Sequence, residues 1–177
     1  MSLTKVSYSM ITGAPVNILD YGADPTGVAD STSAINAAIT YAITFNGEVV
    51  FPAGTYKVTD TIKMFCTSAG QGVNLTGQGG GRSDGTSRAS LQWYGNSATA
   101  PVLHLRGAGN CTISNINIQS KLIDSYPYFG GIFVQSGQNF GGPGSSGVQI
   151  RNCIVNAGKG TNSYAVRLGE DNLQVSE

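Results

Sequence analysis

The chain has 177 residues, of which 25 are glycine and 11% are charged, and ten Lys+Arg balance ten Asp+Glu. A net charge of zero excludes the basic surface that dominates nucleic-acid binding, and no run of ~18 apolar residues is present that would insert into a membrane. We therefore expect one folded, turn-rich domain with neither nucleic acid nor a membrane among its partners.

The first elements follow one another closely. Residues 1–17 have neither a helical period nor a long strand, and predict an extended arm. A short strand-like segment, VNIL, leads to a turn at Asp24 to Gly27, where Pro25 fixes its own φ and Gly27 permits a left-handed conformation. An apolar helix is predicted over residues 30–43.

The helix has a defined start, face and end. Asp30 or Ser31 is expected to accept a backbone N–H bond in its first turn. Asn46 and Gly47 should end it, with Gly47 in the left-handed conformation. One buried face follows the i, i+3, i+4, i+7 spacing and comprises Ile35, Ala38, Ile39 and Ala42.

From Glu48 onward the helical period disappears, and short apolar alternations recur between Gly, Asn and Ser clusters. Many short strands with few tight-hairpin signals predict an all-β fold in which hairpins are not the main connection. The twelve predicted strands are VVF, YKV, VNL, LQW, VLHL, CTI, INI, IFV, VQI, CIV, AVRL and LQV.

A repeat of variable length runs through these strands. CTISNINI overlays VQIRNCIV, which places Ile113 on Ile150 and Asn115 on Asn152, and GVNLTGQ overlays the first more loosely with Leu75 on Ile113. A persistent strand motif with corners of variable length is typical of a parallel β-helix. Asn115 and Asn152 at equivalent corners predict an internal asparagine stack.

Three parts of the chain are predicted on this basis. Residues 1–17 form the extended arm, residues 18–46 contain the initial strand segment and the capping helix, and residues 47–177 form the coils. The helix is expected to cover the first coil, since an open β-helix end exposes unpaired backbone groups. The chain stops at LQVSE within the next coil, so we expect a further C-terminal part or a partner at that edge.

Three motifs in order carry a family resemblance. They are DYGA at Asp20 to Ala23, TGVADSTSAINAAI at Thr26 to Ile39, and GEVVFPAGTY at Gly47 to Tyr56. Over residues 15–62 the sequence resembles the start of the pectate-lyase-like, single-stranded right-handed β-helix of bacteriophage tailspikes and tail fibres.

The resemblance implies a homotrimeric virion appendage that recognises the host by binding its surface polysaccharide. It also implies that other tail proteins hold the N-terminal arm. Members of the family often cleave capsule or O-antigen as hydrolases or lyases, so a polysaccharide depolymerase is the alternative function. A bacterial secreted β-helix enzyme is a third reading, which the N-terminus, lacking an apolar signal region, disfavours.

The matched motifs are structural in that family and carry no catalytic pattern. Glycoside hydrolysis needs two carboxyl groups about 5 to 10 Å apart, and a lyase needs a base. Asp124, Glu170 and Asp171 are weak candidates for such roles, and solvated turn positions are the alternative reading.

Aromatic side chains near predicted insertions are the candidates for sugar contact, because flat rings stack on sugars and lose little entropy. The alternative is packing at corners or a trimer interface. The loop from Gly137 to Gly147 has Phe140 at its centre, and we expect a partner to order it. The candidates for sugar contact are Trp93, Tyr94, Tyr126, Tyr128 and Phe129.

Other polar and sulfur-containing side chains have simpler interpretations. His104 should face away from its flanking leucines, and one histidine with scattered cysteines does not predict a metal site. No cofactor is expected either. The cysteines, Cys66, Cys111 and Cys153, are predicted to be buried free thiols. The arginines that could form an outward ladder, neutralising an acidic sugar or simply facing solvent, are Arg106, Arg151 and Arg167.

Overall fold

A computed structural model describes residues 13–79, 88–95, 100–120, 130–156 and 164–169. The helix α1 is Thr32–Ile43, and two 3-10 helices are Ile18–Tyr21 and Gln138–Phe140. The strands are β1 Val16–Asn17, β2 Thr26–Asp30, β3 Glu48–Phe51, β4 Gly54–Val58, β5 Ile62–Phe65, β6 Asn74–Gly77, β7 Ala89–Trp93, β8 Pro101–Arg106, β9 Thr112–Ser114, β10 Asn117–Ser120, β11 Gly130–Gln135, β12 Gln149–Arg151, β13 Ile154–Asn156 and β14 Tyr164–Leu168.

The strands form three parallel sheets, and successive strands of the chain go to successive sheets. The first sheet has the order β1-β3-β6-β9-β12, the second β2-β4-β7-β10-β13, and the third β5-β8-β11-β14. Each coil from β3 onward therefore gives one strand to each sheet and stacks on the coil before it. The predicted all-β parallel β-helix with one capping helix is confirmed.

The core is a set of apolar columns along the stacking direction. In the first sheet Val49 pairs with Leu75, and Leu75 with Ile113, and all three side chains are fully buried. Ile113 pairs in turn with Ile150, which is half-buried on the last described coil. The sequence overlays placed Leu75 on Ile113 and Ile113 on Ile150. The first sheet pairs the same residues.

The corner asparagines adopt the expected backbone but not the expected environment. Asn115 has φ 58° and Asn152 has φ 52°, in the left-handed region that asparagine tolerates better than other non-glycine residues. Asn115 is half-buried, however, and Asn152 is exposed. The two side chains therefore do not form the fully buried stack that was predicted.

The helix begins two residues later than predicted. Ser31 is the N-cap residue, but its hydroxyl accepts the N–H of Asp24 at 2.9 Å, and the N–H of Thr32 donates instead to a carboxylate oxygen of Asp30 at 3.1 Å. At the other end the left-handed residue is Asn46, with φ 54°, rather than Gly47. A side chain at Gly47 would collide with the ring of Phe45, which accounts for glycine there.

The helix α1 occupies the place of a third-sheet strand before β5. Its predicted face, which includes Ile35 and Ala38, is fully buried against the first coil. The side-chain amide of Asn36 bonds the free edge of β5: its oxygen accepts the Lys63 N–H at 2.7 Å, and its nitrogen donates to the Thr61 carbonyl at 3.2 Å. One side chain thus supplies the donor and the acceptor that a preceding strand would have supplied.

Most predicted strands are present. Eleven of the twelve overlap strands of the structure, and the twelfth, LQV, lies outside the described residues. The sequence analysis missed β2, whose ends are the polar residues Thr26 and Asp30, and β5. In the described ranges no helix has the length and hydropathy needed to cross a membrane.

Replacing Asn36 with alanine should destabilise the protein by about 1 to 3 kcal/mol, because the Lys63 N–H and the Thr61 carbonyl lose their partners. Urea denaturation followed by circular dichroism measures the change. Ser33→Ala, on the exposed side of the same helix, is the matched control and should change stability by less than about 0.5 kcal/mol. Equal stabilities for the two variants would contradict the role given to Asn36.

Candidate functional site

The outer side of the third sheet carries two rows of large side chains. The alternation of strands β5, β8, β11 and β14 sends their apolar positions inward and leaves the residues between them outside. We call these two rows, together with Phe140 beside them, the third-sheet face. The paired positions of the first row are Lys63, His104, Phe133 and Arg167, and those of the second are Phe65, Arg106 and Gln135.

His104 is at the centre of this face. Its ring stacks on Phe133, with centroids 4.8 Å apart, and meets the edge of Phe65 at 4.9 Å. Its Nε2 lies 3.0 Å from the Oε1 atom of Gln135; that oxygen only accepts, so Nε2 carries the proton. Burial, and then the nearby charges of Arg106 and Lys63, lower the pKa of His104 despite the bond to Gln135. The imidazole is therefore neutral at pH 7.

Arg106 is held by aromatic rings. Its guanidinium carbon lies 3.9 Å from the ring centroid of Phe65 and 4.4 Å from that of Phe140. Such cation–π contacts contribute about 0.5 to 2 kcal/mol each, depending on desolvation. Among the described residues, Lys63 forms an ion pair with Asp60 at 3.7 Å. None of the carboxylates in this part of the chain forms an ion pair with Arg106.

The far end of the first row repeats the pairing of cation and ring. The guanidinium of Arg167 lies 5.2 Å from the ring centroid of Phe133 and 6.0 Å from that of Tyr164. A Cβ on Gly130 would come within 2.3 Å of the Tyr164 ring, so glycine is required beneath it. Cations thus contact rings in both rows of the face.

The loop that carries Phe140 is fixed to the β-helix by hydrogen bonds. Gly137 N–H donates to the Pro143 carbonyl at 2.8 Å, and the Ser145 hydroxyl donates to the Gln135 carbonyl at 2.6 Å while accepting the N–H of Ala108 at 3.1 Å. The expectation that a partner must order this loop is wrong. Phe140 itself is 56% exposed, so its ring forms a wall at the edge of the face.

Trp93 does not have the role predicted for it. It ends β7 with its side chain only 2% exposed, inside the core, so neither face of its ring can reach a sugar. The alternation of β7 explains the error, because Leu91 and Trp93 both point inward and Gln92 between them points out. Trp93 is a core residue of the second sheet.

Tyr94, the next residue, is half-buried beside the second sheet, with the ammonium of Lys57 5.2 Å from its ring centroid. It lies beyond β7 and does not belong to the third-sheet face. The remaining candidates lie outside the described residues: Asp124, Tyr126, Tyr128, Phe129, Glu170 and Asp171.

The remaining predicted residues take structural positions. Arg106 and Arg167 do lie outward on the third sheet, whereas Arg151 is exposed on the first sheet. Cys66 and Cys111 are buried free thiols as predicted, and burial raises the pKa of Cys111 to about 11, while Cys153 is half-buried. Across the described ranges, no three His, Cys, Asp or Glu residues are grouped closely enough to hold a metal ion.

The sequence analysis missed Phe65, Phe133 and Gln135 as outward positions of the third sheet, where Phe133 and Gln135 are less than a tenth exposed. A signal for them existed, since IKMF, LHLR and IFVQ each alternate inward and outward positions. What the sequence did not show was that these three segments are neighbours in one sheet. Corners of different length separate them, so the shared register becomes visible only in the structure.

The sequence matches the model of a known protein family over most of its length. The family described as rhamnogalacturonase A/epimerase, pectate lyase-like, matches residues 15–172. The chain belongs to this family. The match includes the cap, all three sheets and the third-sheet face.

Two solved structures and one curated protein are similar to parts of this chain. ORF18 of Geobacillus virus E2 is 22% identical with a TM-score of 0.60, covering 80% of this chain and 26% of that one. The A-module of the mannuronan C-5 epimerase AlgE4 from Azotobacter vinelandii is 24% identical with a TM-score of 0.58, covering 77% and 37%. An alpha-1,3-galactosidase A from Peterkaempfera griseoplana is 44% identical over 45 residues, which are 24% of this chain and 6% of that protein. The chain therefore spans well under half the length of each.

Because the chain has a single histidine, its imidazole can be titrated by proton NMR without assignment. The pKa of His104 should fall below its ordinary value of 6.5, since burial and the two cations disfavour the charged form. Arg106→Gln removes one cation and should raise that pKa, while Arg151→Gln on the first sheet should leave it unchanged. A value at or above 6.5 in the unaltered protein would contradict the arrangement.

Proposed function

We propose that the chain is part of a phage tail appendage that recognises its host by binding polysaccharide on the bacterial surface, and that the third-sheet face is the binding site. The observation that carries the proposal is this face itself. Rings stack on the apolar faces of sugars at small entropic cost, and the neighbouring cations and amide donate hydrogen bonds to hydroxyl and acidic groups.

Two further observations support the proposal. The family is named for proteins that act on polysaccharide, and one structural neighbour is a phage protein. The motifs from Asp20 to Tyr56 also resemble the beginning of tailspike β-helices. On this view the chain belongs in the virion tail, and its N-terminal arm contacts other tail proteins. Val16 and Asn17, predicted as the last residues of that arm, instead form β1 of the first sheet.

A depolymerase is the second candidate function, and the family's enzymes favour it. A hydrolase would need a pair of carboxyl groups, and among the described residues of the third-sheet face Asp60 beside Lys63 is the carboxylate present. A lyase would need a base. Asp124, Glu170 and Asp171 stay predictions for such roles. Reducing-end and unsaturated-sugar assays on the bound polysaccharide distinguish binding alone from hydrolysis and from elimination.

Binding can be tested with capsular polysaccharides and lipopolysaccharides from a panel of bacteria, using biolayer interferometry. Phe140→Ala should weaken binding about tenfold, because the variant loses a stacking surface at the edge of the face. Phe45→Ala removes an exposed phenylalanine from the end of the helix and is the matched control, with no expected change. Equal loss in both variants, or no binding to any member of the panel, would refute the proposed site.

We also propose that the appendage is a homotrimer. In light scattering, the purified chain should have the mass of three copies over a range of concentrations. A stable monomer at every concentration would contradict this part of the proposal and would leave the binding face unaffected.

A further inference from the structure

The corner between α1 and β3 contains the Asn-Gly pair of the sequence, Asn46 and Gly47, and it requires both residues. Asn46 has φ 54°, in the left-handed region that asparagine tolerates, and its side-chain oxygen accepts the N–H of Gly72 at 3.2 Å. A Cβ on Gly47 would collide with the ring of Phe45. The fold therefore places these two residue types side by side for structural reasons.

An asparagine followed by glycine carries a chemistry of its own. The backbone nitrogen of the glycine loses its proton and attacks the side-chain Cγ of the asparagine. The new C–N bond closes a cyclic imide, and the side-chain nitrogen leaves as ammonia. Water then opens the imide at either carbonyl, which gives aspartate or isoaspartate. Glycine favours this reaction because it has no Cβ to obstruct the attack and its backbone rotates freely.

In the folded chain both reacting groups of this pair are held by other partners. The Gly47 N–H donates to the Ala42 carbonyl at 3.0 Å, and the Gly47 carbonyl accepts the N–H of Asn74 at 3.1 Å. The Oδ1 atom of Asn46 accepts the N–H of Gly72, which fixes the side chain that would be attacked. Since closing the imide breaks the bond from Gly47 to Ala42, the corner must open before the pair reacts, although Asn46 is exposed.

Three other asparagines of the described residues share the left-handed backbone without the reactive neighbour. Their φ angles are between 49° and 58°, close to that of Asn46. Each is followed by a residue with a Cβ, which obstructs the attack. They separate the effect of conformation from the effect of the following residue. The three are Asn110 before Cys111, Asn115 before Ile116 and Asn152 before Cys153.

We infer that Asn46 is a deamidation site whose rate is controlled by opening of the corner between α1 and β3. The reaction replaces a neutral amide with a carboxylate, and the isoaspartate product also adds a carbon to the main chain between the helix and the first coil. That added carbon moves Gly47 out of the position in which it bonds Ala42 and Asn74. The modification therefore loosens the C-terminal end of α1 from the coil that it covers.

The reaction is followed by peptide mapping with mass spectrometry during incubation in mildly alkaline buffer, with and without concentrated urea. In urea, Asn46 should react before the other three left-handed asparagines. In the folded chain it should react at least about tenfold more slowly than in urea, because only the open fraction reacts. Equal rates at Asn46 in the two conditions would overturn the inference, as would a faster reaction in urea at any of the other three.

Phe45→Ala tests whether the corner sets the rate. The ring of Phe45 fills the space beside Gly47 and packs against Tyr41, with centroids 5.3 Å apart. Its loss should raise the rate at Asn46 in the folded chain about two- to tenfold, the range expected for one aromatic contact, and leave the rate in urea unchanged. Phe140→Ala removes another exposed phenylalanine and is the matched control, with no expected change in either rate.

Two results for the variants contradict control by the corner. One is an unchanged folded-state rate in Phe45→Ala, and the other is an equal acceleration in Phe140→Ala. Circular dichroism spectra matching that of the unaltered chain show that the variants are folded. If Phe45→Ala does not fold, the comparison of the unaltered chain with and without urea still decides the inference.

Discussion

In-register parallel pairing between successive coils is the constraint on which the rest of this structure depends. Each coil places its inward residues over those of the coil before, so Val49, Leu75 and Ile113 form one buried column. The same register aligns the outward positions and thereby brings residues from distant parts of the sequence together. The same strand register therefore determines both the packing of the core and the arrangement of residues in the candidate site.

At the beginning of the stack, the edge of β5 is not paired with another described strand. A strand exposes backbone donors and acceptors on its free edge, and β5 has no strand before it in the third sheet. The helix covers the apolar end of the coil, and Asn36 supplies the pair of bonds that the edge lacks. An apolar helix alone would bury the core and leave the Lys63 N–H and the Thr61 carbonyl without partners.

The sequence was sufficient to predict the class of fold, the buried helix face and the overlay of Ile113 on Ile150, since each of these follows from local periodicity. It was not sufficient for the site. Trp93 was expected at the surface because an aromatic near an insertion is often exposed, yet the alternation of its strand turns it inward. Phe65 and Arg106 come together only because β5 pairs with β8 one whole coil later, and no local pattern specifies the length of that coil.

The loop from Gly137 to Gly147 has a consequence for how such a protein diversifies. Its hydrogen bonds to the rest of the described chain run to Ala108, Asn110, Gln135 and Ser136, so the strands beneath pair without using Phe140. A lineage can therefore replace Phe140 and its neighbours while the stacked scaffold stays the same. Sequence change in the loop and an unchanged stack of strands are then compatible in one chain.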